Sequence, residues 1–168
     1  MLTIIGCGNL NRSDDGVGVV VAQRLQAWLQ ERPVEGVRVF DAGTGGMEVM
    51  FQAKGASALI IVDACVSGSE PGAVFEVPGE ELARKPAPSF NLHDFRWDDA
   101  LYAGQRIFGD TFPDDIGVVL IEAASTDFGL DLSPAVEAAA AAVEARLKAR
   151  IEAWAKPVPA PIPTDAGD

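Results

Sequence analysis

The stretch GCGNLNRSDDG (6–16) follows the apolar run LTII (2–5) and precedes Val17, Val20, Val21, Leu25 and Leu29, which recur with a helical period. A buried strand, a glycine-rich turn and a helix form the opening unit of a doubly wound α/β fold. Gly6 and Gly8 match the first two glycines of a dinucleotide-binding turn, but Asn11 holds the third position. Asp14 and Asp15 then stand where the positive end of the helix dipole would draw a pyrophosphate, and they repel it. A nucleotide site is therefore the weaker reading, and a cationic ligand the stronger. A plainer alternative makes Asp14 the helix cap and Asp15 a first-turn charge, each worth about 0.5–1 kcal/mol. For Asp14 that plainer reading is preferred.

Working outward, VRVF (37–40) reads as a second strand closed by DAGTGG, and MEVMFQAK (47–54) as a short helix. ALIIVDA (58–64) is the most apolar strand of the chain, as expected of a central one covered on both faces. GAVFEV (72–77) is a fourth strand, followed by a polar, proline-bearing loop to about Ser89. A helix is expected from His93 to about Ile107, and a last strand within DIGVVLIEAA (115–124). Ser133 and Pro134 suit the cap and first position of a final, alanine-rich helix. The pattern predicts a three-layer α/β/α sandwich over residues 1–155, with a mostly parallel sheet. The sheet should be mixed, because the connection into GAVFEV is too short for a helical crossover. The tail 156–168, with prolines at 157, 159, 161 and 163, is expected to be disordered.

The formal net charge of −12 argues against nucleic acid or an anionic membrane as partner. It suits a metal ion or a basic peptide, or serves solubility alone. Cys7 and Cys65 make no disulfide framework, and MLTIIGCGN lacks the features of a signal peptide. The expectation is a cytoplasmic protein with reduced thiols, and a monomer, since no apolar stripe stands out.

In a doubly wound sheet the carboxyl ends of the strands carry the site. GCGN, DAGTGG and Asp63 end the first three strands, so these clusters should share one edge. Asp63 closes a core strand and needs a donor, a cation or a cleft. His93, the only histidine, sits after a loop. Two carboxylates and one imidazole would make an open ligand set for a borderline dication such as zinc or nickel. For each residue a structural role stays open: loop hydrogen bonding for Asp63 and Asp41, a tight turn for Gly43, Gly45 and Gly46, a satisfied imidazole for His93.

GCGNLNRSDDGVGVVVAQRL, VFDAGTGGMEVM, LIIVDACVSGSEPGAVFEV, the histidine of NLHDF and LSPAVEAA occur in an order that resembles the hydrogenase maturation proteases. These trim the large subunit of nickel–iron hydrogenases. The resemblance runs from residue 3 to about 148. It implies an endopeptidase that removes a C-terminal extension from the nickel-loaded large-subunit precursor, its partner. It also implies that Asp15, Asp63 and His93 bind the metal and form the catalytic centre. The nickel would come with the precursor, and zinc or cadmium could occupy the same ligands. Asp41, Gly43, Thr44 and Gly45 are the expected substrate-binding residues. The first-block acid, often Glu in the family, is here the shorter Asp15. The histidine block reads SFNLHDFRWDDAL.

No nucleophile elbow G-x-S-x-G is present. A Cys7–His93 pair is conceivable, although Cys7 reads more simply as a small buried residue, as does Cys65. Metal-directed recognition remains, with the metal polarising the scissile carbonyl or activating water. The alternative function is a checkpoint or chaperone that senses the metal centre without cutting.

Overall fold

A computed structural model describes residues 1–83 and 95–155. The expected helix start at His93 and the tail 156–168 lie outside the described residues. Five strands, β1 (Leu2–Cys7), β2 (Val37–Gly43), β3 (Ala58–Cys65), β4 (Val74–Pro78) and β5 (Asp115–Glu122), form one sheet in the order β2-β1-β3-β5-β4. The pairs β1/β2, β1/β3 and β3/β5 are parallel, while β4/β5 is antiparallel. β3 is thus central, as its apolar run requires. The expected mixed sheet is present, but β4 does not lie beside β3. It pairs with β5, which is inserted between them.

Side-chain alternation along the strands splits the core into two layers. Leu2 and Ile4 of β1 and Ile60 and Val62 of β3 pack towards α1 (Val17–Glu31) and α5 (Pro134–Trp154). Ile5, Cys7, Leu59 and Ile61 pack on the other face with α2 (Gly46–Ala53) and α4 (Trp97–Phe108). These are the three layers of the α/β/α sandwich. One short helix, α3 (Gly79–Leu82), interrupts what the sequence reads as a loop. α4 begins at Trp97, and α5 runs on to Trp154.

The opening glycines let α1 sit close to the sheet. A Cβ on Gly18 would overlap the carbonyl oxygens of Val62 and Cys7. Gly18, the second residue of α1, therefore performs the close helix–strand approach that a dinucleotide fold assigns to its third glycine. Gly8 has φ +130°, and a Cβ there would strike the Asp15 carbonyl. The turn is built to bring Asp15 back against the end of β1.

Candidate functional site

Asp63 is the sixth residue of β3 and shares a face with Leu59 and Ile61, so it points towards the α2/α4 layer. It is 5% exposed. A carboxylate so deep requires donors, and it has them. Ala64 N–H donates to Oδ1 at 2.8 Å, and the Trp97 indole Nε1–H donates to Oδ2 at 2.7 Å. The Arg96 guanidinium lies 3.8 Å from Oδ2. Burial raises the Asp63 pKa to about 6, against the pull of Trp97, Ala64 and Arg96, and the charge of Asp15 adds to the rise. Among the described residues each oxygen accepts one bond, which leaves lone pairs for a cation.

Asp15 is half-buried in the 3-10 turn Ser13–Gly16 that precedes α1, and its Oδ2 accepts from Asn9 N–H at 3.1 Å. Asp15 and Asp63 line one cleft of about 180 Å³ with Cys7, Gly43–Gly46 and the Arg96–Trp97 pair at the start of α4. The ends of β1, β2 and β3 therefore converge, as their place in a parallel sheet dictates. Among the described residues no three His, Cys, Asp or Glu side chains are grouped to hold a metal. Asp15 and Asp63 supply two hard oxygen donors. His93, the third expected ligand, lies outside the described residues.

Of the expected substrate-binding residues, Gly43, Thr44 and Gly45 line this cleft. Asp41 does not. The β1/β2 ladder slips between Gly6–Asp41 and Cys7–Gly43, leaving Ala42 unpaired. Asp41 accepts from Gly43 N–H at 2.9 Å and Gln23 Nε2 at 3.0 Å, and lines an adjoining cavity of about 260 Å³. It shapes the glycine loop, one of the two roles its position allowed.

Asp14 departs from the sequence reading. Gly16 is the N-cap of α1, so Asp14 does not cap it. It is fully buried and accepts from Ser133 N–H at 2.6 Å, Ser133 Oγ at 2.9 Å, Ala124 N–H at 2.8 Å and Ser125 N–H at 3.2 Å. Burial opposes its ionisation, but these donors outweigh it and hold the pKa below the ordinary value. A partner 119 residues away is invisible to a local capping rule. Ser133 does stand at the cap position of α5, yet its hydroxyl serves Asp14 rather than the helix.

Cys7 is the small buried residue the sequence suggests, whereas Cys65 is only partly buried. Burial, then the neighbouring Asp63, pushes the Cys7 thiol well above its usual range. Burial and the adjacent Glu122 raise Cys65 to about 12. Glu122, unread in the sequence, accepts from Ser67 Oγ at 2.7 Å, Ser67 N–H at 2.9 Å and Gly68 N–H at 2.8 Å. The Ser67 hydroxyl, above all, lowers its pKa to about 2. Trp97 and Arg96 also escaped the sequence reading: both fell within a region assigned only as helix. The sole hint was that a buried Asp63 needed a donor.

The hydrogenase maturation protease family HycI matches residues 19–149. The chain is 32% identical over 139 residues to the hydrogenase expression/formation protein HupM of Azotobacter chroococcum mcd 1, covering 82% of this chain and 65% of that relative. It is 30% identical over 139 residues to the hydrogenase 2 maturation protease of Escherichia coli (strain K12), covering 82% of each. The solved structure of the hydrogenase maturating endopeptidase HybD from E. coli superposes with a TM-score of 0.73 at 26% identity, over 91% of this chain and 93% of that one. The chain thus spans about two thirds or less of the first three curated relatives, at 65%, 65% and 61% of their lengths. Fold, motif order and these matches agree, and the chain belongs to the hydrogenase maturation protease family.

Proposed function

We propose that the protein is an endopeptidase that removes a C-terminal extension from the nickel-loaded large-subunit precursor of a nickel–iron hydrogenase, reading the precursor's metal through Asp15, Asp63 and His93. The observation that carries this is the convergence of Asp15 and Asp63, distant in sequence, on one cleft edged by the Gly43–Gly46 loop. The carboxylates lower the electrostatic cost of bringing a dication to the cleft. His93 would add a nitrogen ligand. Trp97, hydrogen-bonded to Asp63, follows His93 by four residues, a stretch whose full extension is about 14 Å. Gly43, Thr44 and Gly45 would accept an extended substrate strand, with Asp41 fixing their shape. When bound, the metal would polarise the scissile carbonyl or activate water. No helix among the described residues is long and apolar enough to cross a membrane, and we take the protein to act as a cytoplasmic monomer.

A binding-only checkpoint is the second reading. It is favoured by one observation: among the described residues lining the cleft, the cysteine is buried with a raised pKa and no serine is present. Incubation of nickel-loaded precursor with the protein, followed by intact mass spectrometry, separates the two. Loss of a C-terminal fragment supports the endopeptidase. Stable complex formation with no mass change supports the checkpoint.

A further inference from the structure

The two aspartates of the opening motif serve different ends. Asp15 lines the cleft, whereas Asp14 binds the segment between β5 and α5. That segment is tethered along its length. Ser13 N–H donates to Gly129 O at 2.9 Å and Gly129 N–H to Asn11 O at 3.1 Å. The Ser13 hydroxyl donates to Asp127 O at 3.1 Å. Arg12 Nη1 donates to Thr126 O at 3.3 Å, and its guanidinium lies 4.8 Å from the Phe128 ring centroid. So many tethers fix the loop's shape, yet its tip displays two large apolar side chains. Phe128 is 84% exposed and Leu130 77%.

Single exposed apolar residues are ordinary, but a pair on a loop held by this many contacts has a ready use in binding. The ordering cost that a flexible loop meets on association has already been met in folding. The tip is joined to the cleft through the opening turn. Leu10, 38% exposed, lines the cavity of about 260 Å³ that shares Gly8, Gly43 and Thr44 with the acidic cleft. From there the Arg12–Gly129 bridge leads to the loop tip.

We infer that Leu10, Phe128 and Leu130 form a docking surface for the hydrogenase large-subunit precursor, gripping its body outside the segment that enters the cleft. This rests on the protease reading. Two features select that occupant. A substrate chain leaving the cleft past Gly8 and Thr44 would reach Leu10, and the body carrying the scissile segment would then meet this surface. Exposed Asp127 and Asp131 flank the tip of a chain with net charge −12, which suits a partner surface with an apolar centre and a basic rim. A second copy of this chain would bring the same acids face to face.

The test compares wild type, the double variant Phe128→Ser/Leu130→Ser and a control, Ile107→Ser, which alters a 64% exposed side chain on α4 outside the cleft. All three full chains are assayed with nickel-loaded precursor for Kd by calorimetry and for processing kinetics, with thermal melts alongside. The double variant is expected to raise Kd and KM at least about tenfold, with the loss falling on KM rather than kcat, at unchanged melting temperature. The control is expected to match wild type. A double variant within twofold of wild type in Kd overturns the inference, as does an equal loss in the control. A wild-type dimer in sedimentation that the double variant dissolves also overturns it, by assigning the surface to self-association. If wild type binds and trims no precursor, the protease reading itself falls and takes the docking surface with it.

Discussion

The indole Nε1–H of Trp97 donates to Asp63 Oδ2 at 2.7 Å, and both side chains are buried, at 8% and 5% exposure. The bond joins the first residue of α4 to the end of the central strand. It sets which way the Asp63 carboxylate faces, since Ala64 N–H holds only the other oxygen.

Trp97→Phe keeps an aromatic ring and removes that donor. Loss of a partner that orients a ligand typically costs about 10–100-fold in activity. We expect a loss of that size in precursor processing, with stability lowered by only about 1–2 kcal/mol. Processing assays beside urea melts check this. A folded variant with wild-type rates would mean that the indole does not orient Asp63.

Asp63→Asn is expected to abolish processing and yet stabilise the free protein above pH 6. The folded-state pKa of about 6 lies above the ordinary 3.8, so the native chain binds the extra proton between those values. Stability from this group is complete below the lower value and is lost as pH rises through the upper one. Neutral Asn escapes that loss, a gain on the order of 2–3 kcal/mol at pH 8 and close to none at pH 3.5. Thermal melts at both pH values decide; a variant less stable than wild type at pH 8 would contradict the burial argument.

If Asp63 is a ligand for the precursor's nickel, protons and the dication compete for its carboxylate. Binding of nickel-loaded precursor should weaken as pH falls through about 6, where Asp63 becomes neutral. Affinity measured from pH 5 to 8 tests this, and a flat profile would take Asp63 out of metal recognition.

Asp14→Ala removes the acceptor of four hydrogen bonds and leaves Ala124, Ser125 and Ser133 amides without it. The expected cost is about 2–4 kcal/mol. Because the wild-type pKa is lowered, this stabilisation is present above the ordinary carboxylate value and is lost as pH falls below it. Denaturant titration at pH 7 and pH 3 should therefore show a smaller gap between wild type and variant at the acid end.

Cys7 and Cys65 both have raised pKa values and carry little thiolate at neutral pH. Native protein should react with iodoacetamide far more slowly than denatured protein, and Cys7→Ser should retain processing. Rapid native alkylation at Cys7, or an inactive Cys7→Ser that folds normally, would restore a thiol mechanism.

Much of the architecture was legible because it depends on short-range pattern. LTII and ALIIVDA announce covered strands, and the spacing of Val17, Val21 and Leu25 announces a helix resting on them. The position of Asp63 followed from the same logic: a carboxylate closing an apolar strand of a parallel sheet must face the ligand edge. Where the pattern was silent, the partners were remote. β4 reads as a strand, but its place beyond β5 depends on a pairing from Val74–Ile121 to Pro78–Gly117 that no local signal encodes. Asp14 looks like a helix cap because Asp often is one.

The order of strands and helices, the edge that would carry the site, and the approach of Asp15 and Asp63 were all determined by the chain's own periodicity and glycines. The partners of the buried carboxylates were decided only in three dimensions: Trp97 for Asp63 and Ser133 for Asp14. Periodicity reports which face a residue takes, because it arises from backbone geometry repeated every few residues. A hydrogen bond joins groups brought together by packing across dozens of residues, and its two halves leave no shared mark along the sequence.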